Sequence, residues 1–137
     1  MITFKKRSLL CLTLSLIFCF AMQAKAQRIA PTLADKREII KIILEGKFSY
    51  STDKTIKIST KNLPVEIRSN FPKIKNLRVQ FVSESSEDSN VCPYEFGEFS
   101  VDGKYVSVGF SDCNDGLLYD FKKIRGKWKG VPYVIEK

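Results

Sequence analysis

Cys92-Pro93-Tyr94-Glu95-Phe96-Gly97-Glu98-Phe99-Ser100-Val101-Asp102-Gly103-Lys104-Tyr105-Val106-Ser107-Val108-Gly109-Phe110-Ser111-Asp112-Cys113 is the stretch that decides the fold. Its centre, Asp102-Gly103, is the strongest short hairpin signal a sequence carries, because both central residues of a type I′ turn need positive φ. With that turn, residues whose numbers sum to 205 lie opposite one another, so Val101 faces Lys104, Phe99 faces Val106 and Cys92 faces Cys113. The two cysteines fall in register as a non-hydrogen-bonded pair, whose Cα atoms lie about 4.5 Å apart, within reach of a disulfide. Pro93 has no N–H to give to a ladder, so the strand is expected to end or bulge there.

The same register sorts the side chains. Phe99, Val101, Val106, Val108 and Phe110 share one side, a core face. Tyr94, Phe96, Glu98, Ser100, Tyr105, Ser107 and Ser111 share the other. That second face mixes aromatics with hydroxyls. Either the helix covers it, making the aromatics core, or it is exposed as a binding surface built on Tyr94, Phe96 and Tyr105, with Lys122 beside them.

Working outward, Asn114-Asp115-Gly116 makes the next turn, and Leu117 to Ile124 a strand. A four-residue loop sets Tyr119 and Phe121 beside Phe110 and Val108. Arg125-Gly126 turns again into a last strand, Lys127 to Ile135. The C-terminal half is thus a four-strand antiparallel meander. Upstream, Thr55 to Ser59 and Leu77 to Val82 alternate as strands, and Leu63 to Asn70 reads as a short helix stopped by Pro72. Ser83 to Asn90 is a polar loop. Before these, Leu33, Ile39, Ile40, Ile43 and Leu44 form an apolar stripe at helical spacing. Thr32 caps it, Asp35 sits at its positive end, and Gly46 is its expected stop, giving a helix over 32–45. The expected fold is α+β: one N-terminal amphipathic helix packed on a curved antiparallel sheet.

The first 26 residues read as a cleavable secretory leader. Lys5-Lys6-Arg7 is a basic start, Leu9 to Met22 an apolar core, and Ala24-Lys25-Ala26 a small-x-small cleavage signal. That core is shorter than the ~20 residues of a spanning helix. Cleavage leaves Gln27 to Lys137 as a single domain, periplasmic or secreted, with no later transmembrane segment. It removes four cations and no acids, taking the formal charge from +8 to +4, so the basic pI is partly a property of the leader and does not point to nucleic acid. Cys11 and Cys19 leave with it, and Cys92 and Cys113 remain to form a disulfide.

The helix, together with the tail Tyr119-Asp120-Phe121-Lys122-Lys123 and Gly126-Lys127-Trp128-Lys129, resembles exported NTF2-like and cystatin-like α+β domains. The resemblance implies a helix lying on a curved sheet. That architecture carries enzymes, binders and inert modules alike, so it implies no particular activity.

The chain contains no histidine, which removes the commonest general base and metal ligand. The candidate carboxylates are Glu95, Glu98, Asp112 and Asp120. Glu95 and Glu98 point to opposite faces in this register and form no pair. Asp112-Cys113-Asn114-Asp115-Gly116 misses calcium-loop spacing by one residue and reads as a turn. Lys122, Lys123, Arg125, Lys127 and Lys129 read as a solvated hairpin whose charges guard an edge, with an anion-binding patch as the sharper alternative. Trp128 reads as closing the core beside Phe121. The expectation is a non-enzymatic binding module for a protein or small-molecule ligand, of the kind that inhibits or neutralises another protein, with no cofactor and no metal. The alternatives are an NTF2-like pocket enzyme using Asp120 or Glu98, and an accessory subunit of an envelope complex.

Overall fold

Thr32 starts the first helix by the reciprocal device its spacing to Asp35 allows. The Asp35 N–H donates to Thr32 Oγ1 at 3.1 Å, and the Thr32 N–H donates to Asp35 Oδ2 at 3.0 Å. Two of the helix's orphan donors are satisfied at once. In this computed structural model, which describes residues 30–49, 52–83 and 92–134 (131–134 as backbone only), α1 spans Leu33–Phe48. The expected leader, 1–26, and most of the expected Ser83 to Asn90 loop lie outside the described residues. Gly46 does not stop the helix. Phe48, four residues after Leu44, continues the buried stripe, and its packing holds one more turn against the modest helix penalty of glycine.

Strand β1 is Lys54–Ser59, the short helix α2 is Val65–Arg68, and β2 is Leu77–Val82. The β1 and β2 strands pair in parallel, Ile56 opposite Val79 and Ile58 opposite Phe81. The connection 60–76 with its helical turn is long enough for the crossover that a parallel pair requires. The short helix begins at Val65, after Pro64, because Asn62 is held at φ 59° with its side-chain amide donating to the Phe96 carbonyl at 3.1 Å.

The C-terminal half is the expected meander, formed by β3 (Glu95–Phe96), β4 (Ser100–Asp102), β5 (Tyr105–Ser111), β6 (Gly116–Ile124) and β7 (Lys127–Val134). β3 and β4 together make its first strand, both pairing with β5, and the sheet then runs β5-β6-β7. Tyr94 joins the meander to β1: the Ser59 N–H donates to Tyr94 O at 2.8 Å, and the Tyr94 N–H donates to Lys57 O at 2.9 Å.

Two features revise the expected register. Asp102 lies opposite Tyr105 and Val101 opposite Val106, so the central turn residues are Gly103 and Lys104. Of these only Gly103 has positive φ, 60°, as a type II′ turn requires. This moves the pairing by two residues and leaves the faces unchanged. Farther out, Ser100 lies opposite Ser107 but Phe96 lies opposite Phe110. Gly97, Glu98 and Phe99 therefore face only Val108 and Gly109, one residue too many. Such a bulge inverts the alternation beyond it. Gly97 permits it: its N–H donates to Gly109 O at 2.8 Å, and a Cβ there would stand 3.4 Å from Gly109 N.

The result is that Phe96 and Phe99 both point inward. Phe96 is 0% exposed. It joins Ile39, Ile40, Ile43 and Leu44 of α1 with Val106, Val108, Phe110, Tyr119 and Phe121 of the sheet in one core. Tyr119 lies opposite Val108 and Phe121 opposite Val106, two residues nearer the hairpin than expected and on the same face, after a four-residue turn at 112–115. Cys92 and Cys113 are joined as a disulfide with Cα atoms 5.7 Å apart. The bond lies just beyond the last ladder pair, Glu95 with Ser111, rather than as a pair within the ladder.

Candidate functional site

The bulge divides the four expected binding residues. Phe96 is buried and unavailable to a partner. Tyr94 is partly buried at the core's edge, its ring stacked 5.3 Å from Phe110 and edge-on 5.4 Å from Phe48. Burial, with a smaller contribution from the charge of Asp112, pushes its phenol pKa up. Only Tyr105 and Lys122 of the four share the outer face, directly opposite each other on β5 and β6.

Two rows cross that face, on the side away from α1. One runs Asp102, Tyr105, Lys122, Lys129 from β4 to β7. The other runs Ser100, Ser107, Asp120, with the Ser107 hydroxyl donating to Asp120 Oδ1. Tyr105 is 42% exposed, and the Lys104 ammonium lies 5.7 Å from its ring centroid. At the end of β6, Ile124 is 41% exposed opposite Lys127. Arg125 and Gly126, with φ of 51° and 76°, form the hairpin tip. Lys122 and Lys129 are a directly opposed like-charge pair, an arrangement that costs stability in a sheet. Among the described residues, none of Lys104, Lys122, Arg125, Lys127 and Lys129 forms an ion pair.

The neighbouring inward-facing pair behaves oppositely. Lys123 and Trp128 both turn toward the start of α1: the Trp128 indole N–H donates to Asp35 Oδ1 at 3.0 Å, and Lys123 Nζ reaches the same oxygen at 3.2 Å. Burial, the largest single influence on Asp35, pushes its carboxyl up. The Thr32 N–H, the Trp128 indole, the Thr32 hydroxyl and Lys123 together outweigh it and hold the pKa at about 2. Trp128 is thus a latch between the helix and the β6–β7 hairpin as well as a partly buried packing residue.

The carboxylates considered for catalysis lie apart. Glu95 pairs with Lys61 at 3.5 Å, and Glu98 is exposed in the bulge. Asp120 is held by Ser107 on the outer face. Asp112 Oδ1 accepts from the N–H groups of Asn114 and Asp115, both at 2.8 Å, and so folds the 112–115 turn. Among the described residues, no group of three or more His, Cys, Asp or Glu side chains is placed to hold a metal ion. Likewise among the described residues, no helix is long and apolar enough to cross a membrane.

Sequence reading missed Lys104 beside Tyr105 and Lys129 beside Lys122. The signal for Lys129 was present: across the two-residue turn at Arg125-Gly126, residues whose numbers sum to 251 lie opposite one another, so Lys122 and Ile124 share one face with Lys129 and Lys127. No known protein family, curated protein or solved structure matches this chain.

Proposed function

We propose that the protein is an exported, non-enzymatic binding module whose recognition surface is the outer face of the meander around Tyr105 and Lys122. The observation that carries this reading is the row Tyr105, Lys122, Lys129. On the face opposite the helix, a half-exposed aromatic ring stands beside Lys122, which Lys129 opposes, and among the described residues neither ammonium forms an ion pair. A folded chain retains such a costly pair most readily where a ligand completes it. The scattered carboxylates support binding over catalysis, since acid–base chemistry needs groups that converge on one reacting atom. Export rests on the leader pattern, and the Cys92–Cys113 bond supports it because such bonds persist in oxidising compartments.

The test compares wild-type protein with Y105A/K122A, immobilised and exposed to the protein's own envelope fraction. Both should melt within a few degrees of each other, and the variant should lose at least tenfold of the material the wild type retains. Equal retention would overturn the proposal.

A further inference from the structure

We infer that the hairpin-tip end of this face docks on an anionic phospholipid surface. The inference rests on the outer face being a binding surface and names what it binds.

Charge along the β5–β6 axis is polarised. The turns 103–104 and 125–126 lie at one end of these strands and 112–115 at the other. The seven residues of β5 set the two ends roughly 20 Å apart. On the outer face Lys104, Lys122, Arg125, Lys127 and Lys129 gather toward the first end, with Asp102 in their row and Asp120, held by Ser107, in the next, while Asp112 and Asp115 occupy the second end. A planar anionic field orients such a molecule tips-first and engages all five cations together. A single small anion would meet only the Lys122–Lys129 pair. The apolar groups at the same end decide between a lipid surface and an acidic protein. Ile124 stands 41% exposed one residue from the tip, and Tyr105 stands 42% exposed with a lysine over its ring. An aliphatic side chain and a polar-tipped ring, flanked by lysines whose stems are long and apolar, form the pattern that settles at a headgroup–acyl boundary.

K122E is the informative variant, because it replaces a like-charge cross-strand pair with an opposite-charge one and so keeps the fold. The probes are vesicles of phosphatidylcholine alone, vesicles with about one-third phosphatidylglycerol, and soluble polyglutamate. The wild type is expected to sediment with the phosphatidylglycerol vesicles only and to be released by 0.5 M salt, taken as about three times the ionic strength at which the screening length is already ~8 Å. K122E is expected to lose at least tenfold in partitioning while melting at the same or a higher temperature, and I124A to lose a few-fold. Failure of the wild type to bind phosphatidylglycerol vesicles at low salt, or K122E binding unchanged, overturns the inference. Binding of polyglutamate but not vesicles, abolished by K122E, also overturns it while leaving the outer face a binding surface for an acidic protein.

Discussion

Replacing Phe96 with alanine separates the bulged register from the regular one. In a regular ladder Phe96 stands on the same outer face as Tyr105, and its loss would be a surface change worth no more than about 0.5 kcal/mol. In the bulged ladder its ring is 0% exposed, 4.6 Å from the Phe110 ring, on the same core as Ile39 and Leu44. Burial of an aromatic side chain removes roughly 150–250 Å² from water, worth about 4–6 kcal/mol at about 25 cal/mol per Å². Alanine recovers part of this and leaves a cavity, so Phe96→Ala should cost about 3–5 kcal/mol. Urea unfolding followed by Trp128 fluorescence measures it, with Tyr105→Ala as the outer-face comparison, expected within about 0.5 kcal/mol of wild type. A Phe96→Ala midpoint indistinguishable from that of Tyr105→Ala would refute the bulge and the assignment of faces built on it.

Asp35→Asn should cost about 0.5–2 kcal/mol at neutral pH, the range for losing a helix cap. Because the folded carboxyl is depressed to about 2 from 3.8, its contribution is complete above about pH 4 and lost as pH falls toward 2. The melting curves of wild type and variant should therefore converge across that window, and a gap persisting at pH 2 would contradict the latch. Gly130→Ala would bring a Cβ to 2.7 Å from two ring carbons of fully buried Phe121. It should destabilise by about 1–3 kcal/mol through overpacking, and a double-mutant cycle with Phe121→Leu should show coupling between the two positions. Replacing both Cys92 and Cys113 with serine releases a 21-residue separation and should lower the unfolding free energy by about 3 kcal/mol, measured in denaturant against the oxidised protein.

Much of this architecture was legible because local rules agreed. The Thr32 cap, the apolar stripe of α1, the Arg125-Gly126 turn and the bond between Cys92 and Cys113 were each legible, and the structure has them, though the bond lies beyond the ladder. The candidate site was less legible for a specific reason. Asp102-Gly103 fits a type I′ turn locally, yet Gly103 alone takes positive φ, and the change of register is invisible to alternation because a shift of two preserves the faces. The bulge is the reverse case: one extra residue at Gly97-Glu98-Phe99 changes no composition signal but turns Phe96 from the outer face into the core. Gly97 across from Gly109 was the available hint, since paired small residues allow the close backbone approach that a bulge uses. The Gly46 stop failed because tertiary packing of Phe48 outweighed a local preference.

Lysine footprinting in the native envelope tests the account most directly. Modification rates would be read by mass spectrometry for each lysine, in the free protein and in the protein within its own envelope. Lys104, Lys122, Lys127 and Lys129 are expected to become several-fold slower in the envelope, while Lys73 and Lys75, exposed ahead of β2, keep their free rates. Protection centred on Lys73 and Lys75, or rates unchanged at all of these positions, would contradict the claim that the outer face of the meander is the surface through which this protein works.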